Sequence, residues 1–151
     1  MKIVWNILLM LAVAVFMEGV AHFTHKYVMH GFLWVLHEDH HRPAHRGWQK
    51  NDLFTAFFSL VSMGFILAGL LTRLWPLIAV GLGMALYGVG YFLFHDVMFH
   101  RRLRAIRLRP RTRYLQRIVR AHSVHHRHSG QHDGVSFGFL YAGRQYDGED
   151  R

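Results

Sequence analysis

Ten of the fourteen histidines in the 151-residue chain lie in four clusters. They are His25-Lys-Tyr-Val-Met-His30, His37-Glu-Asp-His40-His41, His95-Asp-Val-Met-Phe-His100 and His122-Ser-Val-His125-His126. As motifs these read HX4H, HX2HH, HX4H, HX2HH, so one pair of motifs recurs in the same order. A lone histidine is most often a satisfied polar residue, and a single HX4H carries little; four clusters in repeated order point to one site. Helix positions i, i+3 and i+4 fall within about 100° of arc. Each HX2HH is therefore expected to aim three imidazoles at one region. Positions i and i+5 stand about 140° apart on a regular α-helix, so an HX4H pair either serves two neighbouring metals or converges through a local bulge. Ten imidazoles exceed what one ion needs. Shared between two six-coordinate ions, they leave positions open for oxygen or water, and the expectation is a dinuclear centre.

Imidazole alone does not choose among zinc, copper, iron and nickel. A closed structural zinc site needs only four ligands; a ligand-rich site with vacancies fits redox metal and dioxygen chemistry better, with zinc a possible substitute in purified samples. Glu38, Asp39 and Asp96 adjoin the histidines, and Glu18 lies seven residues before His25 on the same helix face. All four are candidates to accept a ligand's second N–H, which fixes its tautomer; for Glu18 the competing reading is a partner for His22. His37-Glu-Asp-His40-His41 also matches the HExxH signature of zinc hydrolases, with Glu38 as base. That reading leaves eight clustered histidines unused, and Ser123 stands where a second base would be. Haem ligation needs histidines within membrane spans, whereas these cluster at their ends. His22, His45, His128 and His132 fall outside the pattern and are expected on surfaces or loops.

These motifs must be positioned by the rest of the chain, which is 52% hydrophobic and 18% charged. Residues 3–23 are nearly all apolar, and 53–72 and 75–94 carry no charge. Twenty residues of helix extend about 30 Å, the thickness of a bilayer core, so the chain reads as an all-α, multi-pass membrane bundle in a single domain, 1–151. Lys2 followed by an apolar run and Ala12-Val13-Ala14 imitates a cleaved secretory signal, but the run continues to Phe23, which favours an uncleaved first helix. Asn51-Asp52 is expected to cap the second span and Pro76 to sit in the first turn of the third. Gly81, Gly83, Gly88 and Gly90 suit close packing in lipid. A hairpin turning at Arg73 places sixteen of the eighteen Lys and Arg on one side with all four histidine clusters. Positive-inside bias makes that side cytoplasmic. The zero cysteine count excludes disulfides, thiolate metal sites and a cysteine nucleophile. The stretch 101–127 holds ten arginines and no acid. Beside three spans it reads as a face on anionic lipid rather than a nucleic-acid arm, and it is too basic for a fourth span, leaving a membrane-associated helix there.

The four motifs, together with Asn51-Asp52-Leu53, Trp75-Pro76-Leu77 and Val135-Ser-Phe-Gly-Phe-Leu-Tyr141, resemble the fatty-acid hydroxylase superfamily of membrane di-iron oxygenases. Within it the likeness is to the branch of bacterial β-carotene 3-hydroxylases, and it extends over almost the whole chain. The family is commonly drawn with four membrane helices, where three are evident here. The resemblance implies two non-haem iron ions and O2 as co-substrate. It also implies a reduced ferredoxin-type electron donor and hydroxylation at C3 of a β-ionone ring, carrying β-carotene through β-cryptoxanthin to zeaxanthin. A lipid or sterol hydroxylase and a carotenoid ketolase are the alternatives on the same centre. The substrate would arrive from the bilayer; Phe32, Trp34, Phe137, Phe139 and Tyr141 are the candidate walls for its ring. Oligomeric state is left open.

Overall fold

The computed structural model describes residues 1–42, 47–103 and 105–148. His45 and Arg104 lie outside the described residues. Among the described residues all regular structure is helical, with no strand. Helix α1 spans Lys2–Phe23 and continues as a π-helical segment over Thr24–Phe32, followed by a single turn α2 at Trp34–His37 and a 3-10 turn at Glu38–His41. Helix α3 spans Asp52–Thr72, and α4 spans Trp75–Tyr91 with a second π-helical segment over Phe92–Phe99. The basic region forms no fourth span: described residues 101–112 contain no helix, and α5 covers Arg113–Arg127.

Three helices, Lys2–Phe32, Asp52–Thr72 and Trp75–Phe99, are long and apolar enough to cross a membrane. Their outward faces carry Leu8, Leu11, Phe16, Phe57, Leu60 and Leu71, all exposed. Water would penalise such a surface, and lipid does not. Arg73 takes the left-handed conformation (φ 57°) that ends α3, and Pro76 occupies the first turn of α4, so the hairpin is as tight as the two residues between the helices require. Helix α4 packs against both α1 and α3. The close approach rests on two of the four glycines singled out by sequence. A Cβ on Gly81 would lie 2.7 Å from the Ser62 carbonyl oxygen of α3, and one on Gly83 would lie 2.5 Å from the Met10 carbonyl oxygen of α1. Gly88 and Gly90 face open space instead. The Ser62 hydroxyl donates to the Gly81 carbonyl at 2.8 Å, closing the α3–α4 contact.

This topology sends the C-terminal ends of α1 and α4 and the N-terminal end of α3 to one end of the bundle. Helix α5 is capped by the Thr112 side chain, which accepts from the Leu115 amide at 3.2 Å. One face of α5 is buried through Ile118, Ala121, His122 and His125. Arg113 and Arg127 lie exposed, Arg117 and Arg120 bond Asp147 and the Tyr146 carbonyl, and the helix delivers the last histidine motif beneath the spans.

Candidate metal centre

The HX4H motifs fall on the two π-helical segments, with His100 immediately after the second. Bonding i to i+5 closes each turn a residue later than in an α-helix, and the His100 amide donates to the His95 carbonyl at 3.0 Å. Residues five apart thereby come to one side: the rings of His25 and His30 are 5.3 Å apart by centroid, those of His95 and His100 4.5 Å. Of the two outcomes left open for this spacing, the structure adopts convergence through a bulge.

The ten rings form two adjoining groups. His25, His30, His37, His41 and His125 bring ligand atoms within 4.8 Å of one another, as do His40, His100, His122 and His126. His95 borders the second group, its Nε2 3.0 Å from that of His40. The expectation that each HX2HH aims three rings at one region is corrected. The i and i+4 rings stay together, whereas the i+3 ring turns away, so His40 joins the second group and His125 the first. Each half of the chain thus lends its middle histidine to the other half's group.

The protonation pattern calls for cations. His30 Nδ1 donates to the Gln131 carbonyl at 3.0 Å and His125 Nδ1 to the Val135 carbonyl at 2.7 Å. Carbonyls only accept, so the ring protons reside on Nδ1 and the two Nε2 atoms, 3.3 Å apart, face each other as lone pairs. The same holds for His25, donating to the Phe137 carbonyl, and His37, donating to Asn51 Oδ1, whose Nε2 atoms are 3.1 Å apart. His40 donates to Gln49 Oε1 and His95 to Asp96 Oδ1 in the second group. Second protons would relieve the repulsion, but burial opposes them. Burial holds His37 well below the usual imidazole range and pulls His125 down to about 4 and His41 to about 3, with the neighbouring histidines adding to the effect. His100, His122 and His126 are lowered for the same reasons. Neighbouring ligands on a metal at roughly 2.0–2.1 Å, set at right angles, are about 3 Å apart. The spacing, the neutral rings and the buried unpartnered Nε2 of His126 all fit a metal in each group.

The carboxylates divide. Asp96 accepts from His95 Nδ1 at 3.1 Å and is held by Arg102, which also makes two 2.7 Å bonds to Asp52. Glu38 pairs with exposed Arg42, and Asp39 accepts from the Lys50 amide at 2.8 Å. Glu18 pairs with neither His22 nor His25. It accepts from the backbone amides of Phe139, Leu140 and Tyr141 and from the Tyr87 hydroxyl. Because Glu38 points to the surface, the HExxH reading lacks its base. Asn51, expected as a helix cap, makes no side-chain cap bond and serves His37 instead. Gln49 and Asn51 flank the second motif closely enough to be weighed from sequence, but the carbonyls of residues 131, 135 and 137 carry no side-chain signal. His22, His128 and His132 are exposed, as expected.

A cavity of about 470 Å³ opens between the membrane helices, lined by Met17 and Ala21 of α1, Phe58 and Met63 of α3, and Met84 and Gly88 of α4, among others. Tyr91 and Phe139 also line it. The Phe139 ring stacks on His25 at 5.6 Å and meets His95 edge-on at 5.3 Å, while Tyr91 stacks on His95 at 4.4 Å. Of the five candidate wall residues only Phe139 lines this cavity. Trp34 and Phe137 pack on the rings of the first group, and Phe32 and Tyr141 are 77% and 75% exposed.

The chain is similar to the β-carotene hydroxylase of Pseudescherichia vulneris, 42% identical over 94% of this chain and 80% of that protein. The β-carotene hydroxylase of Pantoea ananas is 42% identical over 92% of this chain and 78% of its own length. The chloroplastic β-carotene 3-hydroxylase of Gentiana lutea is 31% identical over 89% of this chain and 42% of its own. No solved structure matches. The sequence pattern of fatty acid hydroxylases matches residues 10–143, which include all four histidine motifs. A match of that extent, falling on the residues that the fold gathers at one end of three membrane-length helices, makes this chain a member of the fatty acid hydroxylase family of membrane enzymes.

Proposed function

We propose that the chain hydroxylates C3 of the β-ionone rings of β-carotene, passing through β-cryptoxanthin to zeaxanthin, with O2 as the oxygen source. Two non-haem iron ions, one in each histidine group, would supply the oxidising power that an unactivated ring C–H demands. The observation that carries this reading is the apolar cavity between the membrane helices, two of whose lining residues, Phe139 and Tyr91, stack on histidine rings of the site. A carotenoid is soluble only in lipid, and Met17, Phe58, Met63 and Met84 offer it an apolar path inward, while Gly88 leaves the path wide. The cavity suits one ring with the adjoining polyene, the rest remaining in the bilayer. Phe139 and Tyr91 would place the ring against the histidines and keep bulk water from that side. The relatives named above, bacterial and plant, support the substrate.

In this reading the histidine end of the bundle lies at the cytoplasmic face of a bacterial inner membrane, by the arginine bias. Exposed Leu103, Ile106 and Leu108 alternate with arginines, as a segment resting on anionic lipid would. Electrons would arrive from a reduced ferredoxin-type donor on the same aqueous side. Expression in cells that accumulate β-carotene tests the proposal. Zeaxanthin should form, and it should vanish in His40→Ala and His125→Ala. Unchanged β-carotene with the wild-type chain would refute the reading, and a 4-keto product would move it to ketolase chemistry. Iron should be quantified in membranes as well as in purified protein, where zinc can take its place.

A further inference from the structure

We propose that Glu18 is a positioning residue for the first histidine group, acting through the loop that orients three of its rings. The inference rests on the two-ion reading above. Glu18 Oε1 accepts from three consecutive amides, Phe139 at 2.9 Å, Leu140 at 2.8 Å and Tyr141 at 3.1 Å, and Oε2 accepts from the Tyr87 hydroxyl at 2.7 Å. One carboxylate on α1 therefore fastens this loop to α1 and α4. The loop has no helical or strand ladder to satisfy its backbone, and amides withdrawn from water need partners; the carboxylate supplies them to the part-buried Phe139 and Leu140 contacts and so helps to fix where the loop sits. Two glycines permit the fit: a Cβ on Gly138 would lie 2.8 Å from Glu18 Oε1, and one on Gly134 would lie 3.1 Å from His30 Nδ1.

The other side of the same loop carries the carbonyls of Gln131, Val135 and Phe137. They accept from Nδ1 of His30, His125 and His25 at 3.0, 2.7 and 3.0 Å. Three of the five rings of the first group take their tautomer and direction from this one segment. The second group is held differently, His40 by Gln49 and His95 by Asp96, itself tied by Arg102 to Asp52. The two ion positions thus have separate supports, and loosening the loop should weaken one and spare the other.

Cobalt(II) titration of the full chain in detergent, followed by visible absorption, tests this. Wild type should bind two ions per chain; fewer would refute the two-ion reading itself. Two further proteins isolate the groups, His100→Ala/His122→Ala leaving the first and His25→Ala/His37→Ala leaving the second. Glu18→Leu removes the acceptor. It should weaken cobalt binding about 10–100-fold where only the first group remains, the range for losing the partners that orient ligands. It should leave binding unchanged where only the second remains. Amide exchange at residues 131–141 should accelerate in parallel. Glu18→Gln, whose side-chain carbonyl still accepts, should restore most of the affinity. Equal weakening of both groups, or none in either, would overturn the proposal. If Glu18→Leu does not fold, Glu18→Gln decides: a smaller loss confined to the first group supports the assignment, and an equal or absent loss refutes it.

Discussion

Asn51→Leu isolates what a single outer hydrogen bond contributes to the metal centre. Asn51 Oδ1 lies 2.7 Å from His37 Nδ1, and the two residues are 3% and 2% exposed. Leucine keeps the bulk and removes the acceptor. His37 then has two choices: to bury an unpaired Nδ1–H, at about 1–3 kcal/mol, or to move its proton to Nε2 and lose the lone pair that faces His25 and His41. Either course weakens the first group. A cost of that size corresponds to roughly 10–100-fold in affinity, at about 1.4 kcal/mol per decade. Helix α3 should be unaffected, because the Asn51 side chain makes no cap bond. Competition with a chelating dye at fixed pH measures the affinity, and circular dichroism reports the helices. Asn51 also lies near the Tyr91 hydroxyl, so Tyr91→Phe is the control for that neighbour. Asn51→Asp retains an acceptor for His37 and should bind at least as tightly as wild type. Wild-type affinity in Asn51→Leu would refute the assignment of the Nδ1 proton and, with it, the lone-pair account of the site.

The remaining predictions concern packing, access and charge. Gly81→Ala puts a Cβ 2.6 Å from Ile66 Cγ1 and 2.7 Å from a backbone oxygen; it should destabilise the α3–α4 hairpin by about 1–3 kcal/mol in thermal unfolding, while Gly90→Ala, facing open space, should not. Gly88→Leu should narrow the cavity and reduce zeaxanthin yield several-fold with metal content unchanged, and loss of metal would show that the cavity and the centre are not separable. Glu38→Gln should leave both metal content and carotenoid turnover near wild type, since its carboxylate pairs with exposed Arg42 at the surface; abolished turnover would revive a base role. Metal-free protein should lose stability on acidification. His41 at about 3 and His125 at about 4 sit below the ordinary 6.5, so the unfolded chain takes up protons first as the pH falls through that value. Each contributes a loss of roughly 2 kcal/mol between pH 6.5 and 5, read as a falling thermal midpoint; a flat midpoint over that range would contradict the buried, neutral rings.

The three spans and the gathering of all four histidine motifs at one end of the bundle were legible in the sequence. Residue type and spacing encode them: uncharged runs of bilayer length, and a motif pair repeated after spans that must turn back on each other. The tight turn at Arg73 and Pro76, and the failure of the arginine-rich stretch to form a span, were legible for the same reason. How the rings divide was not. His40 and His125 cross to the opposite group because both halves of the chain pack against each other, and helical periodicity describes only one segment at a time. The choice of a π-helical turn for HX4H was open in the spacing and settled by where the partner rings lie. Asn51 and Glu18 carried misleading local signals, a cap and a ligand's neighbour, and found their partners only in the fold. The acceptors for His25, His30 and His125 lie 112, 101 and 10 residues away and are backbone carbonyls. Every residue has a carbonyl, so no side chain marks which ones will orient a ring; only the path of the folded loop decides.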